Sequence, residues 1–462
     1  MTVWRPRIEE GDAPLYERLV EALAKDIRNG RLAAGDRLPP HRELAHQLTM
    51  AVGTVSRAYA EAERRGLIAS HVGRGSFIAG TRPTGRAPES GGPIDMALNL
   101  PPLEPARRWL DEGLLRVRRR PDIMDVVGYG PVEGLAAVRY AGADWLRRRH
   151  RVSRADVATV IQCNGGQHAM ALVFAAAARP GETILCDAAT YPGIRTLTDH
   201  AGYRLAGVAA DARGMEPAAL DAAAASTGAR AVILIPTLHN PTTVTLDAGR
   251  RQEIVAVARA RDLVIVEDDA YRVFAAADCP ASFADLAPER TFLIAGVSKS
   301  LAPGLRLGFI VPPEGGDYRD RVLIGARALG YCPPPLGGLM FAQWLDDGVA
   351  DRITDEIVAE VRARTDIARA ALGSAMAPPG APQTLHVWLP MPLLEAERVA
   401  GRALRAGVMV TPPDAPMMSP AAAGGLRLCL GAVSSQEMLR QALDVVKVAL
   451  GRDGSGGSRA II

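Results

Sequence analysis

Lysine is nearly missing from this chain. Of 54 lysines and arginines, only Lys25, Lys299 and Lys447 are lysine. A surface charge can be either residue. Attack on a carbonyl to form an imine needs an amine that can lose its proton, and arginine cannot supply one. Lys299 stands in "LIAGVSKSLAPGLRLGF", after an apolar run and before a Pro-Gly turn. Among so few lysines, that setting marks it as a candidate nucleophile.

Other shortages narrow the class. The five cysteines, at 163, 186, 279, 332 and 429, are scattered, with no CxxC and no zinc-type spacing. They read as buried apolar thiols in a reducing compartment, with no metal site. No apolar run approaches the ~18 residues of a membrane span. The start "MTVWRPRIEE" lacks the apolar core of a secretory signal. A cytoplasmic protein without a membrane partner is the expectation. A formal charge of +3 does not announce nucleic-acid binding, though a small basic module can hide in a neutral whole.

The chain is 462 residues long and 48% hydrophobic, enough for several domains. "GTRPTGRAPESGGP", residues 80–93, is rich in Gly and Pro without apolar periodicity and reads as a flexible linker. Such a coil spans ~20 Å on average and ~50 Å when extended. Residues 451–462 read as a disordered tail. Residues 1–79 read as helix, helix, helix and hairpin. Leu15, Leu19, Leu23 and Ile27 share one helical face, and Val52, Val55, Tyr59 and Ala62 another, with Gly66 as the stop. Residues 94–450 alternate short β-branched runs ("VATVIQC", "ETILCDA", "RAVILIP", "LVIVED", "TFLIAGV") with helical stretches such as 167–178 and 249–261. That pattern predicts an α/β domain with a mostly parallel sheet covered on both faces. From about residue 380 a smaller α+β lobe begins, with a helix expected over 394–406.

Five sites fall just past the C-terminal ends of predicted strands, where open α/β sheets bind ligands. "CNGGQHAM" offers backbone N–H groups to a phosphate at a helix start. "TYPG" offers the Tyr191 ring, "HNPT" the Asn240 amide, "VEDDAY" Asp268 and Tyr271, and "SKSLAPGLRLG" Lys299 and Arg306. The neighbouring Asp269 reads as an exposed loop or cap residue. Together these groups fit pyridoxal 5′-phosphate: an amine, a carboxylate for the pyridine nitrogen, donors for the phenolic oxygen, a flat ring, and a phosphate grip.

These motifs, with "GGQ", resemble fold-type I aminotransferases of class I and II over residues 95–450. The resemblance implies Lys299 as the Schiff-base lysine and Asp268 on the pyridine nitrogen. It implies Asn240 and Tyr271 at the phenolic oxygen, and Tyr191 on the ring. Gly166, Gln167, Ser298 and Arg306 fall on phosphate positions. It places Arg427, in "GLRLCLG", on a ligand carboxylate. Alternation supports this: Leu426, Leu428 and Leu430 face one way and Arg427 the other. Read without the family, Arg427 is an exposed strand arginine. Two departures stand out: Gly296 occupies a position where relatives usually carry Ser or Thr on the phosphate, and "PTT" replaces the usual "PTG".

Residues 14–79 resemble the winged helix-turn-helix of the GntR family through "GDRLPPHRELAHQL", "TVSRAYAEAERRGLI" and "GRGSFI". This implies double-stranded DNA as partner, with the third helix in the major groove. Arg42, Thr54, Ser56, Arg57, Arg74 and Gly75 are the implied contact set. Val52 and Ser56 stand where many relatives carry arginine.

The two halves in this order resemble the MocR-type transcription regulators. The resemblance implies a homodimeric regulator that binds the cofactor and responds to an amino-acid-like or B6-related effector, rather than an enzyme feeding a pathway. A working aminotransferase with an appended DNA module is the alternative. A degenerate fold that merely dimerises is disfavoured by the retained Lys299, Asp268 and Arg306.

Overall fold

The computed structural model describes residues 4–8, 11, 13–33, 35–71, 75–78, 92–419 and 422–451. The chain divides between Gly92 and Pro93 into two compact units. Most of the expected linker, and the tail from residue 452, lie outside the described residues.

The first unit contains α1 (Leu15–Arg28), α2 (His41–Gln47), α3 (Val52–Arg64) and the antiparallel pair β1 (Ile68–His71) and β2 (Gly75–Ile78). Leu19, Leu23, Leu44, Val55, Tyr59, Ala62, Ile68 and Ile78 form its core. Tyr59 donates to the Pro39 carbonyl at 2.8 Å, which ties α3 to the turn before α2. Gly66 takes a φ of +70° after α3, a conformation that costs other residues steric strain. Two expectations fail. Leu15 and Val52, at the starts of α1 and α3, are 39% and 44% exposed, off the buried faces.

The second unit opens with β3 (Ile94–Met96), α4 (Glu104–Arg118) and α5 (Ala136–Trp145). Its sheet is built from β4 (Ile161–Cys163), β5 (Thr183–Asp187), β6 (Arg204–Val208), β9 (Ala231–Leu234), β10 (Val264–Asp268), β11 (Thr291–Gly296) and β12 (Gly308–Val311). The short hairpin β7 (Ala210–Asp211) and β8 (Gly214–Met215) stands apart. The strand order is β4-β12-β11-β10-β9-β5-β6. Only β12 runs against its neighbours, so β4, β5, β9, β10 and β11 all end at one edge. Helices α6 (Gly165–Ala177), α7 (Pro192–Ala201), α8 (Pro217–Thr227), α9 (Ala248–Ala260) and α10 (Phe283–Leu286) fill the crossovers.

Alternation along the strands sorts the core. Ile184, Cys186, Ile233, Val266 and Ile294 pack with Leu172 and Val173 of α6 on one face. Leu185, Val232, Leu234 and Ile265 pack with Leu220, Ile254 and Ala258 of α8 and α9 on the other. Both faces are covered, which is why these strands read as unbroken apolar runs.

Helices α11 (Tyr318–Gly330), α12 (Pro335–Asp346) and α13 (Val349–Leu372) lead to the smaller lobe. That lobe holds β13 (His386–Pro390), α14 (Leu393–Arg405), β14 (Val408–Val410), β15 (Gly425–Cys429) and α15 (Gln436–Leu450). β13 pairs antiparallel with β15 and places Trp388 opposite Arg427. The smaller lobe also recruits β3, which pairs parallel with β14. It therefore draws on the start of the unit as well as on the region beyond residue 380. Among the described residues no helix is long and apolar enough to cross a membrane.

Candidate functional site

The parallel sheet delivers five loops to one edge. Asn164 follows β4, Tyr191 follows β5, Asn240 follows β9, Asp268 ends β10, and Lys299 follows β11. Chain direction alone gathers residues scattered over more than a hundred positions.

Asp268 and Lys299 each keep part of their surface open while protein surrounds the rest. Burial lifts the Asp268 carboxyl to about 6, aided by the neighbouring Asp269 and opposed by the Ala270 N–H and Lys299. That N–H donates to Asp268 at 3.2 Å. Among the described residues no cation lies within ion-pair distance of Asp268. Burial also lowers Lys299 to about 8, with Arg427 adding to the effect and Cys429 and Asp268 opposing it. Desolvation thus moves an amine toward the neutral, nucleophilic form.

A hydrogen-bonded chain crosses the site. Arg427 donates to Asn240 Oδ1 at 2.8 Å, and Asn240 Nδ2 to the Tyr271 hydroxyl at 3.3 Å. Asn99 Nδ2 donates to the same hydroxyl at 2.9 Å and lies 3.3 Å from His386 Nδ1. His386 Nε2 lies 3.3 Å from the His239 carbonyl. Its Nε2 therefore carries the proton and its Nδ1 accepts. Burial holds the His386 imidazole well below its usual pKa, with Arg427 adding to the effect. Arg427 is buried, not surface-exposed as its strand position alone suggests.

Arg306 has a φ of +47° and donates to the Asn164 carbonyl at 3.1 Å. Its guanidinium covers Gly165, where a Cβ would fall 2.9 Å from Nη2. A Cβ on Gly166 would meet nothing within 4 Å, so the first turn of α6 faces open space beside Arg306. Gln167 donates to the Gly193 carbonyl at 2.9 Å, and its Oε1 is buried without a partner. The Ser298 hydroxyl has no partner among the described residues. Gly193 has no room for a side chain: a Cβ would lie 2.3 Å from the Tyr191 ring. Burial raises the Tyr191 hydroxyl, and Asp268, Arg427 and Arg306 all act on it.

The residues present fit pyridoxal 5′-phosphate. The uncompensated Asp268 suits a pyridinium, the open helix start beside Arg306 suits a phosphate, and the desolvated Lys299 suits an aldehyde.

One sequence expectation is reversed. Asp269 is fully buried, not a loop or cap residue, and its Oδ2 lies 3.0 Å from His150 Nδ1. Glu267 is buried too, 3.7 Å from Arg251. Burial pushes the Glu267 carboxyl up, aided by Asp269 and opposed by Arg251. Sequence reasoning also misses Asn99 and His386. Neither lies in a periodic pattern, and the partners of Asn99 are 172 and 287 residues away.

In the first unit, Arg42 is exposed on α2 and has no ion-pair partner among the described residues. The Arg57 guanidinium lies 4.6 Å from the centre of the Tyr16 ring. The Ser56 hydroxyl is 3.0 Å from His41 Nδ1, so it is engaged within the unit. Thr54 is half-buried. Gly75 has a φ of +103°, with Arg37 packed against it. Arg74 lies outside the described residues.

Fold and site define an aminotransferase-like domain of fold type I joined to a helix-turn-helix module. Residues 92–446 match the model of the class I and II aminotransferases, and residues 15–78 that of the bacterial regulatory proteins of the gntR family. The chain belongs to the class I and II aminotransferase family, and its gntR domain makes the arrangement that of MocR-type regulators. The uncharacterized HTH-type transcriptional regulator YdeF of Bacillus subtilis is 30% identical over 344 residues, 72% of each chain. The vitamin B6 salvage pathway transcriptional repressor PtsJ of Salmonella typhimurium is 27% identical over 94% of this chain and 98% of its own. An archaeal alanine:glyoxylate aminotransferase superposes with a TM-score of 0.69 at 22% identity, covering 77% of this chain and 90% of that one. That likeness is one of fold.

Proposed function

We propose that this protein is a cytoplasmic, DNA-binding transcription regulator that carries pyridoxal 5′-phosphate covalently on Lys299 and responds to an amino-acid-like or B6-related effector. Residues 1–79 bind an operator, 80–93 link, and 94–450 sense. The observation that carries this reading is the convergence of Lys299, Asp268, Asn240, Tyr271 and Arg427 on one sheet edge, in a chain that opens with a gntR module.

Bound there, the cofactor would supply a carbonyl for an imine and a ring that withdraws electrons. Lys299 holds it, and its lowered pKa keeps a useful fraction of free amine near neutral pH. Asp268 holds a proton at the pyridine nitrogen. Asn240 and Tyr271 hold the phenolic oxygen, and Tyr191 covers the ring. Gly166, Gln167, Ser298 and Arg306 bind the phosphate. Arg427 takes the carboxylate of an amino-acid effector. Thr54, Ser56, Arg57, Arg74 and Gly75, with Arg42, address DNA.

A homodimer is part of this reading. Leu110, Leu114, Met124, Val127 and Tyr129 are exposed on the large unit, and a partner subunit would cover such side chains. An aminotransferase that turns over is the second reading, favoured by the retained Arg427.

Titration with pyridoxal 5′-phosphate, borohydride reduction and peptide mapping test the first part. A visible band and a label on Lys299 are expected. Binding to the DNA upstream of the gene, with and without added amino compounds, tests the second. Steady turnover with an amino donor and a keto acceptor would decide for the enzyme.

A further inference from the structure

The chain leaving Gly92 enters the candidate site within a few residues. Ile94–Met96 pairs with β14, and Ala97 and Asn99 just beyond it meet two of the site's cationic side chains. Arg427 Nη2 donates to the Ala97 carbonyl at 3.0 Å. Thr411 Oγ1 and Cys429 Sγ donate to the same carbonyl at 3.4 Å and 3.3 Å. Lys299 Nζ donates to the Asn99 carbonyl. The Asn99 side chain anchors the segment through Tyr271 and His386, while its Oδ1 is buried without a partner.

We propose that residues 97–99 form a strap that senses the state of the site: its carbonyls hold Lys299 and Arg427, and covalent engagement of Lys299 releases it. The proposal rests on the reading of Lys299 as the cofactor-bearing amine. As an ammonium, Lys299 offers three N–H donors. When its nitrogen adds to an aldehyde carbon, the carbonyl oxygen leaves as water with both amine hydrogens. At most one N–H then remains, by protonation of the imine nitrogen. The Asn99 carbonyl then loses two or all three of the N–H groups that could hold it, and a partly buried carbonyl left without a donor is costly. The strap then either shifts or opens to water.

Position gives this consequence. Asn99 is seven residues beyond Gly92, where the unit carrying the helix-turn-helix ends. A change at Lys299 therefore reaches the chain that leads to the DNA-reading module along the backbone itself. Asn99 acts as a positioning residue, through its anchor on Tyr271 and His386.

Amide hydrogen exchange on the full chain tests this, with pyridoxal 5′-phosphate as probe and the visible band as the measure of attachment. Peptides spanning residues 93–103 should exchange at least threefold faster once the band is complete, while peptides covering 264–268 stay unchanged. Asn99→Ala should exchange quickly over 93–103 before any cofactor is added. Lys299→Ala should be fast throughout and indifferent to the probe. If wild type forms the band while 93–103 exchanges no faster, the strap is wrong and the cofactor reading stands. If no band forms, both fall.

Discussion

Arg427 donates to Asn240 at 2.8 Å, across 187 residues of sequence. The contact joins a strand of the smaller lobe to the loop after β9. It also engages a guanidinium that donates to Thr411 at 3.1 Å and to Ala97 at 3.0 Å. Three protein acceptors orient it, and two of its five N–H groups remain for a ligand.

The Lys299 amine should set the pH dependence of cofactor attachment. Its folded pKa of about 8 lies below the ordinary 10.5. Between those values the unfolded chain binds more protons, so this group's contribution to stability rises with pH over that window. Attachment, which needs the free amine, should rise with pH and be half-complete near 8 in rate. Lys299→Ala and Lys299→Arg should both lose the visible band and the borohydride label. A band retained by the arginine variant would overturn the assignment.

Asp268→Asn should separate stability from cofactor affinity. The folded carboxyl sits near 6 against an ordinary 3.8, so ionisation opposes folding and stability falls as pH rises between them. Removing the charge should raise the Tm of the cofactor-free protein at pH 7 by about 2–4 °C. It should also weaken cofactor binding at least tenfold. A Tm that falls, measured by calorimetry, would contradict this.

Two changes should move phosphate grip in opposite directions. Arg306→Ala removes a charge-assisted contact and should weaken binding by roughly 10- to 100-fold. Gly296→Ser should strengthen it by roughly 3- to 10-fold. A Cβ at 296 would sit 3.4 Å from the Leu307 carbonyl and 3.8 Å from the Gly166 nitrogen, so the side chain fits beside the open helix start. Equal dissociation constants for the three proteins would remove both residues from the phosphate site.

Gly193→Ala should disturb the ring platform without touching the amine. Its Cβ would fall 2.3 Å from Tyr191 Cε1, and such overpacking costs about 1–3 kcal/mol. The borohydride label on Lys299 should persist, while the visible band shifts and cofactor dissociates faster. Stopped-flow release of the cofactor measures it.

Arg42→Ala should weaken DNA binding and lower the salt slope by about one unit, with the visible band unchanged. Arg42 is exposed on a helix of the first unit, so little folding energy depends on it. Fluorescence anisotropy across a salt series reads both quantities, and an unchanged slope counts against a phosphate contact.

Several of these residues are legible in the sequence. Lys299, Asp268, Asn240 and Tyr191 each end or follow a short apolar run, and a parallel sheet sends all such positions to one edge; Arg306 reaches the same edge because β12, which it precedes, runs antiparallel. Local pattern and chain direction suffice to gather them. The gntR module is legible for the same reason, since Leu19, Leu23, Val55 and Tyr59 follow helical spacing. Tertiary structure alone decided the rest. Arg427 alternates like a surface residue and is buried where Thr411, Asn240 and Ala97 meet it. Asp269 sits beside two other acids, yet finds His150 119 residues away. Asn99 and His386 belong to no pattern, and their roles come from contacts between segments hundreds of residues apart. Periodicity records which face of an element meets the core. It carries no information about which distant polar group that face will meet, and in a buried site most polar groups are paired with one.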